Sequence, residues 1–418
     1  MKTIFYKLKN ISLGFLTMIL NLFFRRDKRI ILFGAWMGSK FADNPRFLYQ
    51  YIWNNKDKYD IKKAVWVTRN RSVYNDMKEM GYCVFMMNSV KSYYYHIKSG
   101  IHIICNIHSS GVYNGDIIGE LSHGAIKIQL WHGVAIKASG HATNEFKKLS
   151  KLNSWNYRLK THLYSNYWIS HFITYAGGWD NPYYLVTSDE NARVMKNCFN
   201  IKDDKFIMSS YPRWYSNNEF TRGETIIIDE LKESRTKYKA IVLYLPTFRD
   251  GKDGYNKYIH PLKVEGIEDY IEQNNILWIE KAHNASTLGK INYDLYNYKQ
   301  LDVDFDVDLV YDFVDLVITD YSSVSSDAIF KGIQTLYFVP DYDDFLTKDR
   351  GFVNDFDRYC PGYIVKSKDT LLYNLDMALK DTSFSNDQFN RYEETKKLLF
   401  GCKHRDMDDV ALEIIKFK

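Results

Sequence analysis

The residues of this chain best equipped for chemistry sit where apolar runs give way to polar turns. Trp131-His132-Gly133 directly follows the run Ala125–Leu130, and Lys137 lies five residues beyond the histidine. A histidine at a strand end beside glycine opens onto a crevice and titrates near neutrality, as a general base needs. The alternative is an imidazole hydrogen-bonded within a turn. Asp320-Tyr321-Ser322-Ser323 joins the short apolar run Asp315–Thr319 to a helical stretch, Ser325–Gly332, and Gln334–Val339 follows as a second strand closed by Pro340. Backbone N–H groups, two hydroxyls and a helix N-terminus converge in such a turn, which suits it to hold phosphate. An ordinary N-cap of Ser and Asp has the same composition. Pro246-Thr247-Phe248-Arg249 ends the run Ala240–Leu245 with a fixed cation, and Glu280-Lys281-Ala282-His283 ends Ile276–Ile279 with two basic groups.

These turns need a scaffold that brings strand ends together. Strand-like runs recur at Arg29–Gly34, Ala64–Thr68, Tyr82–Met86, Ile101–Asn106 and Ala125–Leu130, with helical stretches at Pro45–Trp53, Ser72–Met80 and Val90–Ser99 between the earlier ones. Such alternation predicts a doubly wound parallel sheet, whose ligands bind at the carboxyl ends of the strands. Tyr183–Thr187 and Asp189–Phe199 add a strand and a helix; Ile226–Thr236, Ala240–Leu245, Gly266–Asn274 and Ile276–Ile279 begin a second α/β series. The polar stretch Ser216–Arg222 connects the two. Helices are expected at Lys368–Lys380, Asp387–Leu399 and Asp406–Lys416. The loop Gly34–Asn44 (GAWMGSKFADN) is polar and glycine-bearing, but is neither a P-loop nor a dinucleotide fingerprint.

Composition narrows the function. Apolar residues at 45% and charged residues at 26% are ordinary for a globular chain, and 418 residues can hold two domains. Residues 1–30 carry seven bases against Asp27 alone, so the whole chain's net charge of +5 leaves a body of about −1. A nucleic-acid groove needs positive charge spread over the body, and that partner is excluded. The five cysteines are scattered without CxxC spacing, which supports neither a disulfide framework nor a zinc site and fits a reducing compartment. Ile11–Phe24 is apolar, flanked by the bases, and too short for a bilayer span of roughly 20 residues. It is expected to lie in a membrane interface with its bases on anionic headgroups; docking on its own domain is the alternative. Asp302, Asp304, Asp306 and Asp308 (DVDFDVD) lack the glycine and glutamate of an EF-hand loop, and the alternation also suits a half-exposed strand edge. No metal site is expected.

Taken together, WHGVAIK, SSYPR, LPTFR, EKAH and DLVITDYSSVSSDAIFKG, in that order over roughly residues 30–400, resemble the motifs of the CDP-glycerol glycerophosphotransferase family, the teichoic-acid and capsule primases and polymerases. Val134-Ala135 stands where the family commonly has Thr-Pro, and Ser325-Ser326 replaces aromatics before Asp327. The resemblance implies a GT-B architecture: two Rossmann-like doubly wound domains, residues 30–222 for the acceptor and 223–418 for the donor, facing across a cleft. Residues 1–29 would be the membrane-interfacial helix. It implies transfer of glycerol phosphate or a related polyol phosphate from a CDP-alditol to a polyprenyl-linked saccharide or polyol-phosphate acceptor. CMP would be released at the cytoplasmic face of a bacterial membrane, with no cofactor or metal. A homo-oligomer is compatible with it.

On that resemblance His132 is the base for the acceptor hydroxyl, with Gly133, Lys137 and Arg213 on the acceptor side. Arg249 and His283 meet the donor phosphates, assisted by Pro246, Thr247, Asp320, Ser322, Ser323 and Asp327. A GT-B glycosyltransferase using a nucleotide sugar shares the fold and the cleft. A membrane-peripheral scaffold is a third reading, which basic groups at separate strand ends disfavour.

Overall fold

A computed structural model describes residues 2–106, 115–144, 181–215, 219–247, 259–281, 295–348, 351–380, 386–401 and 406–418. Seven strands form the first parallel sheet: β1 (Asp27–Phe33), β2 (Lys63–Thr68), β3 (Val84–Met86), β4 (Ser99–Ile104), β5 (Ile126–Gln129), β6 (Tyr183–Val186) and β7 (Phe206–Met208). Their order is β3-β2-β1-β4-β5-β6-β7. α1 (Lys2–Phe23) precedes them, and α2 (Asp43–Asn54), α3 (Arg71–Glu79), α4 (Val90–Lys98) and α5 (Asp189–Phe199) pack on the sheet.

α6 (Arg222–Lys237) opens the second unit behind a capping box, in which Thr221 and Glu224 exchange side-chain and backbone bonds. Its parallel sheet contains β8 (Ala240–Leu245), β9 (Ile276–Glu280), β10 (Tyr298–Gln300), β11 (Leu316–Thr319), β12 (Gln334–Phe338) and β13 (Tyr363–Val365), in the order β10-β9-β8-β11-β12-β13. α7 (Ile267–Gln273), α8 (Val324–Lys331), α9 (Tyr342–Lys348), α10 (Phe356–Tyr359) and α11 (Leu371–Lys380) accompany it. Every residue of β11 and β12 is buried, so the apolar runs read as strands covered on both faces. Gly332, at φ +75°, ends α8 in the left-handed conformation that glycine adopts without penalty.

The two sheets share one winding. Each begins with a strand whose partners on either side come from before and after a reversal of direction: β1 between β2 and β4, β8 between β9 and β11. Ligands bind outside the carboxyl ends at such reversals. The first reversal carries the loop after Phe33 and the turn at Cys105; the second carries Pro246-Thr247 and Asp320–Ser323.

Several links join the units. The Ala138 N–H donates to Gly351 and the Val353 N–H to Ile136, at 2.9 and 3.1 Å, stitching the segment after His132 to the second unit. Arg46 of α2 is fully buried, paired bidentately with Glu224 at 2.6 and 2.8 Å and lying 3.7 Å from Asp306. The chain then recrosses: α12 (Asn386–Leu399) packs on α5 while Tyr392 bonds Thr335 of β12, and α13 (Met407–Ile415) packs on α2 and β7. A division at 222/223 assigns both helices to the second unit, yet Val410, Ala411 and Ile414 lie in the core that also holds Leu48 and Ile207.

Two expectations change. The acidic run 302–308 is a pair of turns leading into a short 3-10 helix, and no strand edge; its side chains bend back because Asp302 accepts from the Asp304 N–H at 2.8 Å and Asp306 from the Asp308 N–H at 3.2 Å. Among the N-terminal bases, Arg26 is not free for headgroups. Its guanidinium donates to the carbonyls of His96, Ser99, Leu121 and His123 at 2.7–2.9 Å, rooting the helix on its own domain. Burial brings its pKa down to about 10.

Ile414 is fully buried more than two hundred residues after β7. Ile414→Ala is expected to cost about 2–5 kcal/mol, seen as a lower urea midpoint of the first unit's aromatic signal. An unchanged midpoint would show that α13 is not part of that core.

Candidate active site

The two reversals face one another across a cleft of about 390 Å³. His132, Gly133, Lys137 and Arg213 line it from the first unit, and Ser322, Ser323 and Asp327 from the second. Seven of the sequence-assigned residues therefore converge. Asp320 and Thr247 stand just behind, both buried: the Asp320 carboxylate accepts from the Thr247 N–H at 3.0 and 3.1 Å and from the Tyr321 N–H at 2.6 Å. That ties the ends of β8 and β11 together after Pro246 and shapes the serine turn. Arg249 and His283 lie outside the described residues.

His132 follows Trp131, which is held at φ +61°, a costly conformation for a bulky residue. The strain turns the imidazole out of line with β5. Its Nδ1 lies 3.1 Å from the Cys105 carbonyl oxygen, which can only accept, so Nδ1 carries the proton and Nε2 is the basic nitrogen. Trp131 stacks on the ring at 4.8 Å and Trp36 tilts against it at 5.7 Å. Gly133 has φ +152°, and a Cβ there would lie 2.6 Å from Ser323 Oγ. The histidine loop thus touches the serine turn. Ser323 begins α8 without a side-chain capping bond.

A group the sequence did not reveal holds the loops in place. Asp116 is buried and accepts from the N–H groups of Met37, Cys105 and Asn106 at 2.6, 3.0 and 2.9 Å, and from the Asn106 amide at 3.1 Å. Burial raises its pKa, opposed by those bonds. It sets the position of the Cys105 carbonyl, hence of His132. Asn44 is similarly hidden: its Nδ2 donates to the Trp131 carbonyl at 3.0 Å, and its Oδ1 accepts from the Arg213 N–H at 3.3 Å. Neither signal was available from spacing, since their partners are backbone groups of distant loops.

Arg213, lining the cleft from the first unit, is also committed to carboxylates. It is buried, with Nη1 2.7 Å from Asp43, Nη2 2.8 Å from both Asp327 oxygens, and Asp308 at 3.7 Å. Trp214 adds an indole N–H to Asp327 at 2.7 Å. Burial works against the charge, but Asp327, Asp308 and Asp43 together raise the guanidinium pKa well above its ordinary value. Arg213 and Asp327 thus satisfy each other across the two units. Asp308 is pushed well above the usual carboxylate range by burial, against the pull of Arg213. The acidic run turns its carboxylates to different cations: Asp304 to Lys40 at 3.3 Å, Asp306 towards Arg46, Asp308 towards Arg213. Among the described residues no group of three or more His, Cys, Asp or Glu converges as metal ligands would.

A cleft with one oriented imidazole, a serine turn at a helix N-terminus and buried cations suits proton abstraction beside a bound phosphate. Comparison with known proteins gives this a context. The sequence profile of the CDP-Glycerol:Poly(glycerophosphate) glycerophosphotransferase family matches residues 15–397. The chain is 26% identical over 359 residues to the teichoic acid poly(glycerol phosphate) polymerase of Bacillus spizizenii, covering 83% of each chain. It is 23% identical over 385 residues to the teichoic acid glycerol-phosphate transferase of Staphylococcus aureus, covering 90% of this chain and 88% of that one. Among solved structures, the wall teichoic acid polymerase TagF superposes with a TM-score of 0.63 at 18% identity, over 100% of this chain and 96% of that one. That likeness is one of fold: two parallel α/β units of GT-B type.

The bond from Nδ1 to the Cys105 carbonyl can be checked without substrate. Nitrogen NMR of the neutral imidazole is expected to show His132 protonated at Nδ1. In Asp116→Ala, where three N–H groups lose their acceptor, a mixture of tautomers and a lower melting temperature are expected. An Nε2-protonated ring in the parent would disprove the orientation.

Proposed function

The chain belongs to the CDP-glycerol:poly(glycerophosphate) glycerophosphotransferase family, and from that premise we propose that it transfers glycerol phosphate, or a related polyol phosphate, from a CDP-alditol to a lipid-linked acceptor of teichoic acid or capsule synthesis. The observation that carries the reading is the meeting of His132 and the serine turn. An imidazole whose Nδ1 is bonded to the Cys105 carbonyl lines the same cleft as Ser322 and Ser323, and its loop is in contact with Ser323.

In the proposed reaction an acceptor hydroxyl loses its proton to His132 Nε2 as its oxygen attacks the phosphorus that bears the polyol. The bond from that phosphorus to the bridging oxygen breaks, and CMP departs with the bond's electron pair. Positioning and neutralisation of charge do most of the work in phosphoryl-type transfer. The N–H groups at the start of α8 and the Ser322 and Ser323 hydroxyls would hold donor phosphate, with Asp320 keeping the turn in shape. Arg249 and His283 remain donor-side assignments from their motifs. Neither a cofactor nor an added divalent metal is part of the proposal. Three carboxylates of the acidic run, Asp304, Asp306 and Asp308, are directed at different cations, which favours neutralisation by side chains.

The acceptor's lipid would bring the enzyme to the cytoplasmic face of the membrane. No described helix is long and apolar enough to cross a membrane. α1 nevertheless exposes Leu16, Ile19, Leu22 and Phe23, the last two at 80% and 76%, while Arg26 anchors its end to the domain. An apolar stripe held at fixed height is suited to lie in the interface.

Two measurements test the reading. With a lipid-linked acceptor, CMP release from CDP-glycerol or CDP-ribitol is expected in chelator, and His132→Ala should lower turnover at saturating donor by roughly 10²-fold or more with donor affinity little changed. Release of UDP or GDP from a nucleotide sugar, with none of CMP, would replace this reading by that of a glycosyltransferase. For the membrane, Leu22→Asp combined with Phe23→Asp should weaken sedimentation with anionic vesicles by at least about tenfold, since each large side chain removed from water is worth about 1.5–3 kcal/mol. Equal sedimentation at an equal melting temperature would place the membrane contact elsewhere.

A further inference from the structure

Most cations around the cleft are already committed. Arg213 is taken by Asp43 and Asp327, Arg46 by Glu224, and Lys40 by Asp304 and the Val303 carbonyl, 2.7 Å from its ammonium. Lys281 differs. It directly follows β9 and lines the cleft, and its N–H still donates to the Tyr244 carbonyl of β8 at 3.1 Å, so its backbone is fixed by the sheet. The neighbouring acid does not neutralise it. Glu280 accepts instead from His260 at 3.0 Å and Tyr298 at 3.1 Å. Among the described residues no ion pair or side-chain hydrogen bond engages the Lys281 ammonium, although it is largely withdrawn from water. A cation held in a cleft without a counter-ion is a site for an anion.

We propose that Lys281 is the cation that binds a phosphate oxygen of the nucleoside-diphosphate donor. This assigns a donor residue beyond Arg249 and His283, and it rests on the donor reading above. Its electrostatics add a signature. Burial, reinforced by the Lys40 charge, lowers the Lys281 pKa to about 8, while Asp306, Asp308 and Asp304 resist that fall. Below pH 8 the ammonium is charged and ready for phosphate; above it the free enzyme must first take up a proton to bind. The phosphates of a nucleoside-diphosphate diester stay anionic throughout that range. Donor affinity should therefore be level below about pH 8 and fall above it, by up to tenfold per unit. The other charged groups facing this space are Lys40 and Asp43 from the first loop, Asp304, Asp306 and Asp308 from the acidic run, Asp327 from α8, and His132, Lys137 and Arg213. A lysine-to-arginine change separates Lys281 from all of these, since a guanidinium stays charged to pH 12.

The test is calorimetric titration of the full chain with CDP-glycerol, with cytidine and UDP-glucose alongside, from pH 7 to 9.5. Lys281→Met should weaken CDP-glycerol at pH 7 by about 10- to 100-fold, the range for a charged hydrogen bond, and leave cytidine unchanged. Its melting temperature should equal or exceed the parent's, because no described side chain hydrogen-bonds or ion-pairs with the ammonium. Lys281→Arg should bind within about threefold of the parent at pH 7 and lose the decline above pH 8. Equal CDP-glycerol affinity in Lys281→Met, or an undiminished decline in Lys281→Arg, overturns the proposal. If the parent binds UDP-glucose and not CDP-glycerol, the donor reading fails, and the same variants titrated with UDP-glucose decide the role of Lys281. If the parent binds neither diphosphate, both fall.

Discussion

One guanidinium holds the geometry of the cleft together. Arg213 follows the last strand of the first sheet, yet its strongest partner, Asp327, belongs to the helix that starts at the serine turn of the second. Asp43 joins it from the first loop and Asp308 from the acidic run. A buried ion pair contributes little net stability relative to well-packed apolar groups, whereas removing one member strands the others at a cost of about 3–5 kcal/mol. The gain from such an arrangement is geometric. With Arg213 in place, α8 sits at one height against the histidine loop, and Gly133 can meet Ser323 with no room for a side chain between them. Arg46 and the backbone bonds at Ile136 and Ala138 fix the same relation from two other directions.

The loops that enter the cleft are strained, and the strain is confined by buried acceptors. Trp36, Met37, Asp43 and Trp131 all have φ between +46° and +64°. Each such residue costs of order 1–3 kcal/mol and persists only where its surroundings leave no alternative. Asp116 takes the Met37 N–H, Asp306 the Asp43 N–H, and Asn44 donates to the Trp131 carbonyl. Gly34 makes this possible: a Cβ there would fall 2.2 Å from the Asp116 carbonyl. The result is an imidazole whose position is set by the backbone of another loop, as preorganised acid–base chemistry requires.

The long, apolar parts of this architecture were legible in the sequence. Ala240–Leu245 is a strand over the same residues that the run predicted, and Gly332 ends its helix as its conformational freedom implied. β7, β10 and β13 are three-residue strands, too short to show a period, and each acquires its identity from the neighbour it pairs with. The candidate site was readable to the extent that strand-end motifs mark it: His132, Ser322 and Ser323 line the cleft together. What could not be read were pairings across the chain. Arg213 and Asp327 each carried a motif, but nothing local indicated that they bind one another. The acidic run suited a half-exposed strand edge because its cations, Lys40, Arg46 and Arg213, come from far earlier segments.

The body is almost neutral overall, yet its cleft is lined with aspartates whose charges must be balanced locally. Net charge does not decide that balance; the local field does. Asp43 and Asp327 are cancelled by Arg213, Asp304 faces Lys40, and Asp306 is placed against Arg46. Asp308 lies farther from its cation, and its raised pKa means that it yields its negative charge more readily than an ordinary carboxylate. With the aspartates matched or weakened, the field is left to the N-terminus of α8 and to Lys281, which no described side chain pairs. The buried aspartates thus keep the arginines occupied in holding the two sheets together. The ion pairs that fix the cleft are thereby complete within the protein itself.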